Sequence, residues 1–150
     1  MFVWLSRIGS WGAVWIALAV VLACSRRWIQ PLVLVVLADA AADGAAELLK
    51  SAVGERRPQL PQPLIGIPQS KSFPSGHAAT SFACATVLAV LAPRAAPFVF
   101  VLALAIAYSR LYVGVHWPLD VIGGALIGLV TALLLLSVAR RRSRGRPRSG

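Results

Sequence analysis

The sequence predicts an all-α fold, a polytopic transmembrane helical bundle of about five spans with a Pro-rich extramembrane loop between spans 2 and 3. Three observations lead there. The 150 residues are 58% hydrophobic with a mean hydropathy of +0.75, too apolar for a water-soluble domain of this size. Five apolar runs lie between helix breakers, each near the length that crosses a hydrocarbon core. Between the second and third runs, Pro58, Pro61, Pro63, Pro68 and Pro74 block regular helix.

In chain order, the spans are expected at about residues 11–24, 31–50, 75–92, 97–112 and 118–139. The first ends at Cys24, and Arg26 and Arg27 follow at once as a cytoplasmic boundary. Val21-Leu22-Ala23-Cys24 loosely resembles a lipoprotein processing site, but those arginines favour an uncleaved span. Pro31 opens the second span and Lys50 closes it; the third opens at Ser75 and Gly76. The fourth is short, and the fifth starts at Pro118 and carries a small-xxx-small spacing at Gly124 and Gly128 that lets a neighbouring helix approach closely. Cys24 and Cys84 sit in apolar runs without metal-type spacing and read as packing residues. Trp4, Trp11, Trp15 and Trp117 are expected as interface anchors.

Residues 1–139 therefore form the transmembrane domain, and residues 140–150 an Arg-rich, disordered cytoplasmic tail that attracts anionic lipid headgroups. The tail holds no interleaved aromatics for base stacking, so nucleic acid is not an expected partner. With the tail inside, Arg26, Arg27, Arg94 and six tail arginines make nine basic residues on the cytoplasmic side. The other side holds six: Arg7, Lys50, Arg56, Arg57, Lys71 and Arg110. This bias orients a multi-pass plasma-membrane protein with its C-terminus cytoplasmic.

Polar residues are costly in a membrane, and here they gather at one surface. Lys50 ends the second span, Arg57 follows in the loop, and Ser75, Gly76 and His77 open the third. Arg110 ends the fourth, and His116 and Asp120 flank the start of the fifth. Alternating helix direction brings all of them to the extracytoplasmic face. Lys50, Arg57 and Arg110 offer cations for a phosphoryl group, two of them planar forks. Ser75 and Gly76 sit at a helix N-terminus, where free N–H groups bind anions. His116 and Asp120 are one helical turn apart, so the carboxylate can fix the imidazole tautomer and leave the other nitrogen free to attack. With His77 as general acid, the set meets the needs of phosphoryl transfer with no metal and no cofactor.

The same residues form three ordered motifs. Lys50 to Pro58 fits KxxxxxxRP, Pro74 to His77 fits PSGH, and Ser109 to Asp120 fits SRxxxxxHxxxD. The chain thereby resembles the type 2 phosphatidic acid phosphatase superfamily, which includes lipid phosphatases, prenyl diphosphate phosphatases and vanadium haloperoxidases. The resemblance covers roughly half the chain. It implies His116 as nucleophile, His77 as acid, Asp120 as orienter, and phosphate held by Lys50, Arg57, Ser75, Gly76 and Arg110. It implies hydrolysis of a lipid phosphate monoester or diphosphate through a phosphohistidine, with prenyl phosphates first and phosphatidic acid or phosphatidylglycerol phosphate as the alternative. A lipid phosphotransferase and a non-catalytic lipid-phosphate binder or transporter are the rival classes. Membrane members commonly have six core spans against five here, which makes a homodimer a candidate for walling the lipid-entry side.

Asp39, Asp43 and Glu47 recur every fourth residue along one stripe of the second span. The bland expectation is interior pairing with arginines or a wet cavity; the functional one is that they line the pocket. Arg56 and Lys71 occupy no motif position and read as membrane-edge charges.

Overall fold

The computed structural model describes residues 12–26, 29–58, 66 and 68–144. Among them all regular structure is helical. There are five α-helices, α1 Ala13–Arg26, α2 Gln30–Val53, α3 Gly76–Leu91, α4 Ala96–Tyr112 and α5 Pro118–Arg144, with a 3₁₀ turn Pro93–Ala95 leading into α4. Trp4, Arg7, Trp11, Arg27, Pro61, Pro63 and residues 145–150 lie outside the described residues.

Local signals set the helix ends. Pro31 occupies the first turn of α2, where its missing N–H costs no bond, and the helix stops at Gly54, whose N–H donates to Lys50 O at 3.1 Å. Ser75 caps α3, its hydroxyl accepting from the Ala78 N–H. The turn between α4 and α5 closes on Gly114, whose φ of 72° a side-chain-bearing residue rarely adopts.

The short α3 lies at the centre and packs against α5, α2 and α4, while α1 packs on α2. Ala79, Ala83, Cys84 and Val87 of α3 are buried in the core. Small residues make that close packing possible. A Cβ on Gly124 would strike the Ser75 carbonyl, and one on Gly128 the Ala79 carbonyl, so the expected small-residue spacing seats α5 directly against the α3 backbone. Outward, α4 and α5 carry exposed Phe98, Val101, Leu104, Leu126, Val130 and Leu134, an apolar surface suited to lipid. Helix α5, and α4 with its leading turn, are each long and apolar enough to cross a membrane.

Three expectations need correction. Trp15 is not an interface anchor; it is fully buried with Ala19, Val35 and Ala38, because its side of α1 faces the bundle. Cys24 is exposed and is no packing residue of this chain's core. Helix α5 runs through Arg140 to Arg144, so the start of the tail is helical, as suits good helix-forming cations at the negative end of a helix dipole.

Candidate active site

Five parts of the fold converge on one cleft of about 380 Å³. Helix α2 contributes Asp39, Asp43, Glu47 and Lys50; the loop after it, Arg57 and Ser70; α3, Gly76, His77 and Thr80; α4, Arg110; and the α4–α5 turn, His116. The α2 residues share one stripe of that helix, which runs about 16 Å from Asp39 to Lys50. The N-terminus of α3 is tied to α5 by the Ser75 N–H, which donates to Asp120 O at 2.9 Å. That bond fixes the PSGH segment beside the His116 turn.

Asp120 is fully buried behind His116. Its Oδ2 accepts from His116 Nδ1 at 3.2 Å, from the Trp117 N–H at 2.8 Å and from the Ser72 hydroxyl. On the other side of the ring, Arg57 Nη1 lies 3.2 Å from His116 Nε2. A guanidinium can only donate, so Nε2 accepts and the ring proton sits on Nδ1. Burial, and next the Arg57 charge, push the His116 pKa down to about 4, against the upward pull of Asp120. The imidazole is therefore neutral, with a lone pair aimed along the Arg57 bond.

Arg57 is fixed by the loop as well as by the histidine. Nε donates to Ser70 O at 2.8 Å, Nη1 to Val115 O at 2.7 Å, and Nη2 to Ser70 Oγ at 3.0 Å and Lys71 O at 3.2 Å. It thus staples both ends of the Pro-rich loop to the His116 turn. Burial lowers its pKa, partly offset by Asp120 and Glu47. Lys50 is buried and ion-paired with Glu47. A Cβ on Gly76 would lie 3.6 Å from Lys50 Nζ and 3.5 Å from Asp43 Oδ1, so a cation and a carboxylate both face the start of α3.

The structure brings Lys50, Arg57, Gly76, His77, Arg110 and His116 to the cleft wall, with Asp120 behind. Ser75 is the exception: it is fully buried, and its hydroxyl is engaged as the α3 cap. Asp39, Asp43 and Glu47 all line the cleft, and Glu47 also pairs with Lys50. Arg56 lies off the cleft, its carbonyl accepting from Trp117 Nε1 at 3.2 Å. The sequence reading missed Ser70, Ser72 and Thr80. Ser70 and Ser72 lie in an irregular loop where no periodicity marks which way a side chain points; Thr80 sits one turn after His77, a spacing that could have exposed it.

A sequence profile of the PAP2 superfamily matches residues 31–144. The decaprenylphosphoryl-5-phosphoribose phosphatase of Mycolicibacterium smegmatis is 38% identical over 80% of this chain and 67% of its own length. A transmembrane PAP2-type phosphatidylglycerolphosphate phosphatase from Bacillus subtilis superposes with a TM-score of 0.77 at 23% identity, covering 97% of this chain and 78% of that one, and shows the shared fold alone. LpxE of Aquifex aeolicus superposes with a TM-score of 0.71 at 30% identity, over 91% of this chain and 83% of its own. With a profile match running from the start of α2 to the end of α5, and with the residues of all three motifs gathered around one cleft, this chain belongs to the PAP2 superfamily.

Proposed function

We propose that the chain is an integral-membrane lipid phosphatase that removes phosphate from a prenyl-type lipid through a phosphohistidine. The observation that carries this reading is the line Arg57, His116, Asp120, which holds a neutral His116 at the wall of a cleft with three cations, its Nε2 bonded to Arg57, one of the three. In the first step the Nε2 lone pair attacks phosphorus, the bond from phosphorus to the lipid oxygen breaks, and His77 protonates that oxygen. In the second, water attacks phosphorus, the P–N bond breaks, and His77 takes the water proton. Lys50, Arg57 and Arg110, with the N–H groups opening α3, stabilise the equatorial oxygens. These protein cations supply the charge stabilisation, so no metal enters the proposed reaction.

The prenyl-type substrate rests on the name of the Mycolicibacterium smegmatis relative, and on a polar cleft that extends along α2 beyond the phosphate end. The proposal includes about five spans, an extracytoplasmic site and a cytoplasmic basic end that meets anionic headgroups. It also includes a homodimer that closes the lipid-entry side.

The test is a panel of prenyl mono- and diphosphates, phosphatidic acid and phosphatidylglycerol phosphate, incubated in detergent with wild type and His116→Ala, with and without EDTA. Released phosphate from a prenyl substrate, unaffected by EDTA and absent in the folded variant, is expected. Full turnover by His116→Ala would overturn the mechanism, and rescue of an EDTA-inhibited enzyme by Mg²⁺ would overturn its metal independence.

A further inference from the structure

The base of the Pro-rich loop holds the His116 ring from both sides. Its two arms, one leaving α2 and one returning toward α3, are joined by hydrogen bonds. The Ser72 N–H donates to Glu55 O at 2.9 Å, and Arg57 donates to Ser70 O at 2.8 Å and to Lys71 O at 3.2 Å. From the first arm, Arg57 Nη1 reaches His116 Nε2 at 3.2 Å. From the second, the Ser72 hydroxyl donates to Asp120 Oδ2, the oxygen that accepts from His116 Nδ1 at 3.2 Å. One ring nitrogen is thus held directly by the loop base and the other through Asp120.

Ser72 and Asp120 are both fully buried. A carboxylate oxygen only accepts, so the serine hydroxyl spends its one proton on Oδ2. The Trp117 N–H is a further donor to that oxygen at 2.8 Å, whereas Oδ1 has no hydrogen-bond partner among the described residues. The carboxylate is therefore anchored through a single oxygen. His116 and Trp117 belong to the turn that leads into α5, and Asp120 stands on the first turn of that helix, so their two bonds to Oδ2 are local. Ser72 reaches the same oxygen from 48 residues earlier in the chain and ties it to the loop. Without that bond, the tilt of the carboxylate rests on the very turn it has to orient, and its torsion is a soft one.

We infer that Ser72 is a positioning residue for the phosphatase reaction: its hydroxyl fixes the Asp120 carboxylate so that Oδ2 stays on the His116 Nδ1–H and the ring keeps its Nε2 against Arg57. It touches neither substrate nor the reacting atoms. Because Arg57 is seated on the same loop base, one piece of chain places both the nucleophile and a phosphate-binding cation. The inference rests on the phosphatase reading for its kinetic test and on the structure alone for its spectroscopic one.

The experiment uses the full chain in detergent, comparing wild type with Ser72→Ala, Ser72→Cys and Ser72→Thr. Cysteine fills the buried space but donates weakly, whereas threonine keeps the hydroxyl. Ser72→Ala and Ser72→Cys should each lower kcat roughly tenfold with little change in KM, as expected for losing one hydrogen bond to a charged group. Ser72→Thr should restore most of that loss. The chain has two histidines, so ¹⁵N-histidine labelling resolves His116 directly. Its Nδ1–H signal should move in Ser72→Cys and keep its wild-type position in Ser72→Thr. Wild-type kcat in Ser72→Cys would mean that the serine only fills space and would overturn the assignment, as would an unmoved Nδ1–H signal in that variant. If wild type hydrolyses no lipid phosphate, the phosphatase reading is what fails, and the ¹⁵N comparison still decides the role of Ser72. Ser72→Cys also decides it where Ser72→Ala or Ser72→Thr does not fold.

Discussion

Arg57 Nη1 donates to His116 Nε2 at 3.2 Å, the nitrogen that carries the phosphoryl group in the proposed reaction. The guanidinium therefore lies at the edge of the space where an equatorial phosphate oxygen binds in the proposed reaction. The same nitrogen also donates to Val115 O at 2.7 Å, so Arg57 can exchange its histidine bond for a phosphate bond without leaving its seat. Lysine cannot reproduce this, since it lacks the planar fork that reaches Ser70, Lys71 and Val115 together. Arg57→Lys is expected to lower kcat/KM by roughly 100-fold, the scale of losing one donor to developing charge. Steady-state release of phosphate measures it, and less than about a threefold change would count against this role.

Asp120→Asn keeps size and burial but changes what the histidine meets. The amide can offer N–H to Nδ1, which would place the ring proton on Nε2, opposite a guanidinium that also only donates. The nucleophilic lone pair is lost in that tautomer. Turnover is expected to fall by roughly 10³- to 10⁴-fold with KM far less affected, as for other carboxylate-oriented histidines. The ¹⁵N shifts of His116 give an independent reading, because the two tautomers differ in which ring nitrogen is protonated.

The pH dependence of stability follows from the low pKa of His116. Folding lowers it from 6.5 to about 4. Between those values the unfolded chain binds a proton that the native chain does not, so this residue destabilises the fold as pH drops from about 6.5 toward 4 and has no such effect above that window. Thermal unfolding in detergent across this range should therefore show a steeper acid-side loss for wild type than for His116→Gln. Parallel curves would contradict a neutral buried imidazole.

How far the site could be read in advance depended on which residues lay in helices. Lys50, His77, Arg110 and Asp120 project from helix ends, where period and span direction already place them on one face. The stripe of Asp39, Asp43 and Glu47 was legible for the same reason, as one face of α2. Ser70 and Ser72 were not legible. They act through contacts some 13 to 48 residues away in sequence, from a loop whose path no hydrophobic pattern constrains. Trp15 failed differently: nearness to a helix end suggested an anchor, but the direction its side of α1 faces is settled by packing on α2 and α3.

The α3–α5 contact yields the last prediction. His116 and Asp120 precede and open α5, while Gly76 and His77 open α3, so the spacing of these two helices sets the width of the site. Gly128 lies one turn beyond Gly124, and a Cβ there would overlap the Ala79 carbonyl and come within 2.9 Å of Ala83 N, both rigid backbone atoms. Gly128→Val should therefore force the helices apart, costing about 1–3 kcal/mol as overpacking of a tight interface does. A lowered Tm in detergent is expected, with kcat reduced even well below that Tm because the two ends of the site move with their helices. Gly44, which has open space around its Cβ position, is the control: Gly44→Ala should leave both Tm and kcat at or above wild type. If Gly128→Val matched that control, α5 would not be seated on the α3 backbone in the membrane.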